Sequence, residues 1–171
     1  MIVIANKKSK PETLLKKYGA DAVIVDVTSK ATDEMIRLSP FYPHGGIPVP
    51  FSPNFAAMSV EGIWQGLKVF ENCGIDIDMF YNTTMKNIKR TVRRFGRPLG
   101  HKKGVQSHEL LSYIDARMQI YVPTYKWVLE HKAQKQVEKL RQLAEDKVVV
   151  LLDYNTNEDI QDPSRPLSHA A

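Results

Sequence analysis

The segment Ser59 to Phe70, SVEGIWQGLKVF, constrains this chain more than any other, because as a helix it has almost no side fit for water. At about 100° per residue, Glu61, Gln65 and Lys68 fall within a ~60° arc. Val60, Ile63, Trp64, Leu67 and Phe70 cover the opposite side, and Gly62 and Gly66 leave a flank open to close packing. Such a rod belongs at the centre of a core. Its acid, amide and amine must then face one another or a cleft, since burying an acid and an amine without partners costs several kcal/mol.

A chain of 171 residues, 43% of them apolar, is long enough to form that core as one domain without disulfide or metal support. Cys73 is the only cysteine, which excludes an internal disulfide framework and fits a reducing compartment. The apolar run at the start is too short for a signal peptide, and nothing approaches the ~18 apolar residues of a membrane span. The expectation is a soluble, cytoplasmic protein.

Ile2 to Ala5 and Ala22 to Val27 read as short strands flanking a helix, Pro11 to Tyr18, that stops at Gly19. Ser39 to Phe55 holds five of the ten prolines, at positions 40, 43, 48, 50 and 53, so no regular helix or central strand can cross it. Its apolar content predicts a packed loop, and ordered loops beside a scaffold helix often carry function. Ser59 is the expected N-cap of the buried helix and Gly74 its end. Thr83 or Thr84 is expected to cap a basic helix with Met85, Ile88, Val92 and Phe95 as its apolar seam. Ser107 opens a further helix that Pro123 interrupts or ends, Thr124 to Ala144 reads as one long helix, and Lys147 to Leu152 as a buried strand ending in Asp153.

The net charge of +5 favours polyanionic partners without naming one. Its distribution says more. Lys86, Lys89, Arg90, Arg93, Arg94, Arg97, Lys102 and Lys103 follow one another with no acid between, and like charges at helical spacing repel unless something anionic is bound. Arg97, His101 and the glycine-flanked loop around them offer donors for phosphate. The plain alternative is a solvated face with no partner. Likewise Glu61 and Lys68, two turns apart with Gln65 between, are either a buried structural pair or a working one. In the second case a lysine in a low-dielectric cleft loses its proton more easily and can attack an aldehyde or glycosidic carbon, while a carboxylate moves protons. Asp153, at a strand end, is a further candidate carboxylate. His44, His101 and His169 lack metal-ligand spacing, so no metal and no cofactor is expected. There is no nucleophile elbow, phosphate-binding loop of the Walker type or dinucleotide fingerprint.

Taken in order, a Phe-Tyr-Pro loop, SVEGIWQGLKVF, a basic segment ending in Gly-Arg, an Ala-Arg-Met helix and a strand ending in a carboxylate resemble the NADAR (YbiA-like) superfamily. The resemblance covers roughly residues 39 to 162, and its specific part is the spacing of Glu61, Gln65 and Lys68. It implies an α+β, helix-rich single domain with a small β-sheet, in which residues 39–171 form the family-like core and 1–38 a β-α-β-like addition. It also implies an N-glycosidase acting on a phosphorylated riboside, most naturally ADP-ribose on a nucleobase, with Lys68 as nucleophile, Glu61 as acid/base and Asp153 as the best counterpart to the later acid, a role for which Asp159 and Asp162 compete. Substrate-binding candidates are Gln65 and Trp64 on the helix, Phe41, Tyr42 and His44 in the loop, Arg93, Arg94, Gly96, Arg97 and His101 in the basic segment, and Asp162. Pro40 stands where the family has a loop asparagine, Gly62 where it has histidine, and DIQDPSRPLSHA replaces the Asp-x-x-Trp-Gly ending. The rival expectation is a non-enzymatic binder of nucleic acid or nucleotide that uses residues 86–103.

Overall fold

A computed structural model describes residues 1–171 as an α+β chain. In order it forms β1 (Ile2–Asn6), α1 (Pro11–Tyr18), β2 (Val23–Asp26), a 3-10 turn (Glu34–Leu38), β3 (Ile47–Pro48), β4 (Ala56–Ala57), α2 (Val60–Leu67) and β5 (Lys68–Phe70). A second 3-10 turn (Ile77–Tyr81), α3 (Val92–Phe95), β6 (Pro98–Lys102), β7 (Leu110–Leu111) and α4 (Tyr113–Ala116) follow. The chain continues through a π-helical stretch (Arg117–Tyr121) into α5 (Val122–His131), α6 (Gln134–Asp146) and β8 (Val149–Asp153). Two compact units result, one of Met1–Ser39 with Leu129–Ala171, the other of Pro40–Val128. No helix is long and apolar enough to cross a membrane.

The first unit is built on a three-stranded parallel sheet ordered β1-β8-β2. β8 lies in the middle, and alternate residues of a strand point to opposite faces. Val149 and Leu151 accordingly pack with Leu140 of α6 and with Met35 and Leu38, while Val150 packs with Ala5 and with Leu14 of α1. A central parallel strand covered on both faces needs apolar residues throughout, and VVLLD supplies them until its last position. Residues 1–38 are therefore no separable addition: they provide both flanking strands of a sheet whose centre comes from residues 149–153.

The second unit centres on α2, every residue of which is buried. Ser59 caps it as expected, its hydroxyl accepting the Gly62 N–H at 3.0 Å. The glycines have a steric reason. A Cβ at Gly66 would lie 2.5 Å from Phe80 Cε1, and one at Gly62 would lie 2.6 Å from the Met79 carbonyl oxygen, so both admit the 3-10 turn Ile77–Tyr81. The helix does not reach Gly74. At Lys68 the backbone turns extended (φ −69°, ψ 133°), and Lys68, Val69 and Phe70 enter the antiparallel sheet β5-β6-β7 opposite His101, Gly100 and Pro98.

The expected basic helix is reduced to the four residues of α3. Upstream of it, Asn82 and Thr84 hydrogen-bond neighbouring backbone groups, and Met85 and Asn87 take left-handed conformations (φ 58° and 57°) that a helix excludes. Ile88 is buried but Val92 is 59% exposed, so the proposed seam does not exist. The helix expected from Ser107 begins only at Tyr113, capped by the Ser112 hydroxyl. Helical structure then passes through Pro123, where the preceding π turn has widened the bonding pattern and the Thr124 hydroxyl donates to the Ile120 carbonyl at 2.5 Å. The long helix expected after it is broken between His131 and Gln134.

Candidate active site

Glu61 and Gln65 stand one turn apart on α2, and Gln65 Nε2 donates to Glu61 Oε1 at 2.8 Å. The other end of the amide, Oε1, accepts the Arg90 backbone N–H at 3.2 Å. Gln65 is thus fixed at both ends and holds one carboxylate oxygen in place. Arg90 is itself buried. Its Nη1 donates to the carbonyls of Gln65 (3.1 Å) and Lys68 (2.6 Å), and its Nη2 to the Gly74 carbonyl (2.6 Å) and Cys73 Sγ (3.2 Å). The bond to Gln65 serves a carbonyl of the last turn of α2, and the others tie the chain just beyond the helix to the same guanidinium.

Lys68, immediately after α2, is partly buried, and its amine makes no hydrogen bond and no ion pair. The rings of Trp64 and Phe70 lie 5.8 and 5.9 Å from Nζ. Burial draws its pKa below the ordinary lysine value; Glu61 opposes the shift, and the charges of Arg90 and Lys89 add to it. An amine in that state is neutral more often than a surface lysine and correspondingly nucleophilic.

Opposite Lys68 in the β5–β6 register stands His101, and directly opposed side chains of an antiparallel pair share a face of the sheet. His101 is 2% exposed, and its ring stacks on Trp64 with centroids 3.7 Å apart and planes at 29°. Neither ring nitrogen has a well-formed hydrogen bond, and the Trp64 backbone compensates the ring only in part. Burial, reinforced by the Lys68 charge, pushes its pKa down to about 3. Tyr121 meets Trp64 edge-on at 5.4 Å and Tyr113 is tilted at 6.0 Å, so the indole is ringed by aromatic surface.

The proline-rich loop joins the same unit through Pro40, whose carbonyl accepts the Glu61 N–H at 2.9 Å. Tyr42 and His44 pack ring to ring at 4.7 Å, and Lys89 Nζ lies 5.9 Å from the Phe41 ring. The basic segment proves heterogeneous. Arg97 pairs with Glu71 at 3.3 Å and Lys103 with Glu109 at 3.4 Å, so acids on either side of the basic run occupy two of its cations. Gly96 takes φ 83°, a conformation that strains any side chain, and lies close against the Asn72 and Glu71 side chains. Arg93 and Arg94 are exposed, as are Lys86 and Lys89, and none of the four is paired with an acid.

Asp153 and Asp162 belong to the first unit. Asp153 Oδ2 accepts from the Ser168 hydroxyl at 2.6 Å, the His169 N–H at 3.1 Å and His169 Nδ1 at 3.0 Å, while Oδ1 accepts from the Tyr154 N–H at 2.7 Å. Burial alone would raise its pKa, but the His169 ring, the Ser168 hydroxyl and the Tyr154 N–H together hold it below the usual aspartate range. Asp162 shapes a local turn through Ser164 and Arg165.

Two residues escaped the sequence reading. Arg90 is hidden among cations of the same type, and only its tertiary contacts distinguish it. Arg117 carried a signal: it lies three residues after Ile114 and four before Tyr121, on the apolar stripe. It is 1% exposed, its guanidinium is 4.3 Å from the Tyr113 ring, and Nη2 donates to the Tyr113 hydroxyl at 3.0 Å.

The model of DUF6939, a family of unknown function, matches residues 6–171. The chain belongs to that family. No curated protein and no solved structure gives a significant match to it. For this DUF6939 chain the matched region takes in both units, from the end of β1 through the bonds of Asp153 with Ser168 and His169.

Proposed function

We propose that this DUF6939 chain is an N-glycosidase of phosphorylated ribosides, with ADP-ribose on a nucleobase as the leading substrate class. The observation that carries the reading is the Lys68 amine, partly buried and without a hydrogen bond or ion pair although Glu61 acts on it electrostatically. A structural lysine at that depth would be expected to use the carboxylate.

In this reading the neutral Lys68 amine attacks the anomeric carbon of the ribose. The C–N bond to the base breaks, its electron pair passes to the base nitrogen, and Glu61, having taken the proton that the Lys68 ammonium gives up, passes it to the base. Loss of a proton from the new secondary amine and opening of the sugar ring give an imine on Lys68. Water then hydrolyses the imine, returning the free amine and a reducing sugar. Gln65 orients Glu61, Trp64 and the Phe41–His44 loop provide apolar and aromatic surface, and Arg93 and Arg94 attract phosphate. Asp153 is given no step, because Ser168, His169 and Tyr154 engage its carboxylate.

Incubation with ADP-ribosylated guanine and thymine, followed by borohydride reduction and peptide mass spectrometry, tests the proposal. Free base and a sugar adduct on Lys68 are expected, and Lys68→Ala should release no base while keeping the wild-type circular dichroism spectrum. Release of base by that variant at the wild-type rate would remove Lys68 from the chemistry. A second reading, a binder of polyanions without turnover, draws on the four exposed cations of residues 86–103 that have no acid partner, Lys86, Lys89, Arg93 and Arg94. Absence of product from every riboside would favour it.

A further inference from the structure

We infer that His101 is a positioning residue for Lys68: a neutral imidazole stacked on Trp64 that fills the cross-strand position without offering the amine a counter-charge. The inference rests on the reading of Lys68 as a nucleophile, but it concerns how the protein prepares that amine and not which riboside it meets.

Three observations converge on it. Lys68 and His101 are directly opposed in the β5–β6 register, so their side chains compete for one small volume on one face of the sheet. The His101 ring is pinned by its 3.7 Å stack on Trp64. Both its nitrogens are enclosed without a well-formed hydrogen bond, an arrangement that costs stability and that an apolar ring would avoid. A carboxylate in this place would pair with Lys68 and keep it protonated. The imidazole, pushed down to a pKa of about 3, carries no charge and leaves the amine desolvated. The charged groups acting on Lys68 are then Glu61 from α2, with Arg90 and Lys89 from the segment before α3. Glu61 is restrained on one oxygen by Gln65, and the two cations oppose protonation of the amine.

Reductive labelling with pyridoxal 5′-phosphate measures the effect directly. The neutral amine condenses with the aldehyde, water leaves, and borohydride reduces the imine to a stable secondary amine that peptide mass spectrometry assigns to Lys68. Across pH 6 to 10, wild-type Lys68 should label with a midpoint below that of exposed lysines in the same sample. His101→Glu should move this midpoint up by about one unit or more, slowing labelling at neutral pH roughly tenfold. The uncharged His101→Asn should keep it near the wild-type position. An unchanged profile in His101→Glu, or an equal shift in His101→Asn, would overturn the inference.

Should His101→Glu fail to fold, the ring 15N chemical shifts of wild-type His101 decide. A neutral ring that does not titrate between pH 5 and 8 is expected; an imidazolium in that range would overturn the inference. Neither measurement reads riboside cleavage. Reactive Lys68 with no base released would defeat the glycosidase reading alone, and turnover with an unshifted His101→Glu profile would defeat this one alone.

Discussion

Lys68 and His101 show how two polar groups can be kept unsatisfied side by side. Both lose solvent, and the larger consequence falls on His101, whose folded pKa of about 3 lies far below that of a free imidazole. The unfolded ring binds a proton as the pH falls through about 6.5, whereas the folded ring does not until about 3. Stability should therefore rise with pH across that window, by up to ~1.4 kcal/mol per pH unit from this one residue. Thermal melts from pH 4 to 7 should show the melting temperature climbing in wild type and climbing less steeply in His101→Phe. Parallel curves for the two proteins would mean that the folded ring titrates normally. Lys68 contributes in the same direction but at higher pH, between its depressed folded value and that of a free lysine. Glu61 and Gln65 were recognisable from spacing alone, because residues four apart on a helix face one another. The role of Arg90 was not, since nothing local separates it from Lys89 or Arg93.

At the scale of elements, local signals sufficed wherever a segment settles its own conformation. β1, α1 and β2 follow from apolar runs, a proline at the first helical position and Gly19. The Ser59 cap follows from its side chain, and β8 from an apolar run ending at Asp153. The misreadings fall where distant contacts decide. α2 stops at Leu67 because Lys68 to Phe70 pair with a strand thirty residues on, and the donors that satisfy the terminal carbonyls come from Arg90 and Asp76. The basic helix fails because Asn82 and Thr84 give the backbone better partners than a helix would, among charges that repel. Phe80 packs closely against Gly66. Gly66→Ala should cost about 1–3 kcal/mol in denaturant unfolding, since the added methyl cannot fit without displacing the Phe80 ring. A fully stable Gly66→Ala protein would show that α2 and the Ile77–Tyr81 turn can move apart freely.

At the scale of the molecule, the net charge of +5 resolves into cations of different standing. Within residues 86–103, Arg90 serves the interior, Arg97 and Lys103 have acid partners, and Lys86, Lys89, Arg93 and Arg94 are exposed with no acid partner. Binding of a single-stranded oligonucleotide should weaken linearly as salt rises on logarithmic axes, each phosphate contact contributing ~0.7 to the slope. Arg93→Ala with Arg94→Ala should reduce the slope by about one to one and a half and leave the melting temperature unchanged. An unchanged slope would place the anion-binding surface elsewhere. Residues 1–38 look like an addition in sequence because the family resemblance begins near residue 39. No local signal marks a parallel sheet as lacking its middle strand.

That middle strand sets an order for synthesis. β1 and β2 leave the ribosome early, yet each pairs only with β8, so for well over a hundred residues of translation both present unpaired edges. Pro40–Val128, by contrast, is continuous and holds its own helix, sheet and apolar core. The nascent chain can bury the α2 core first, while its own first strands wait for the residues that will lie between them.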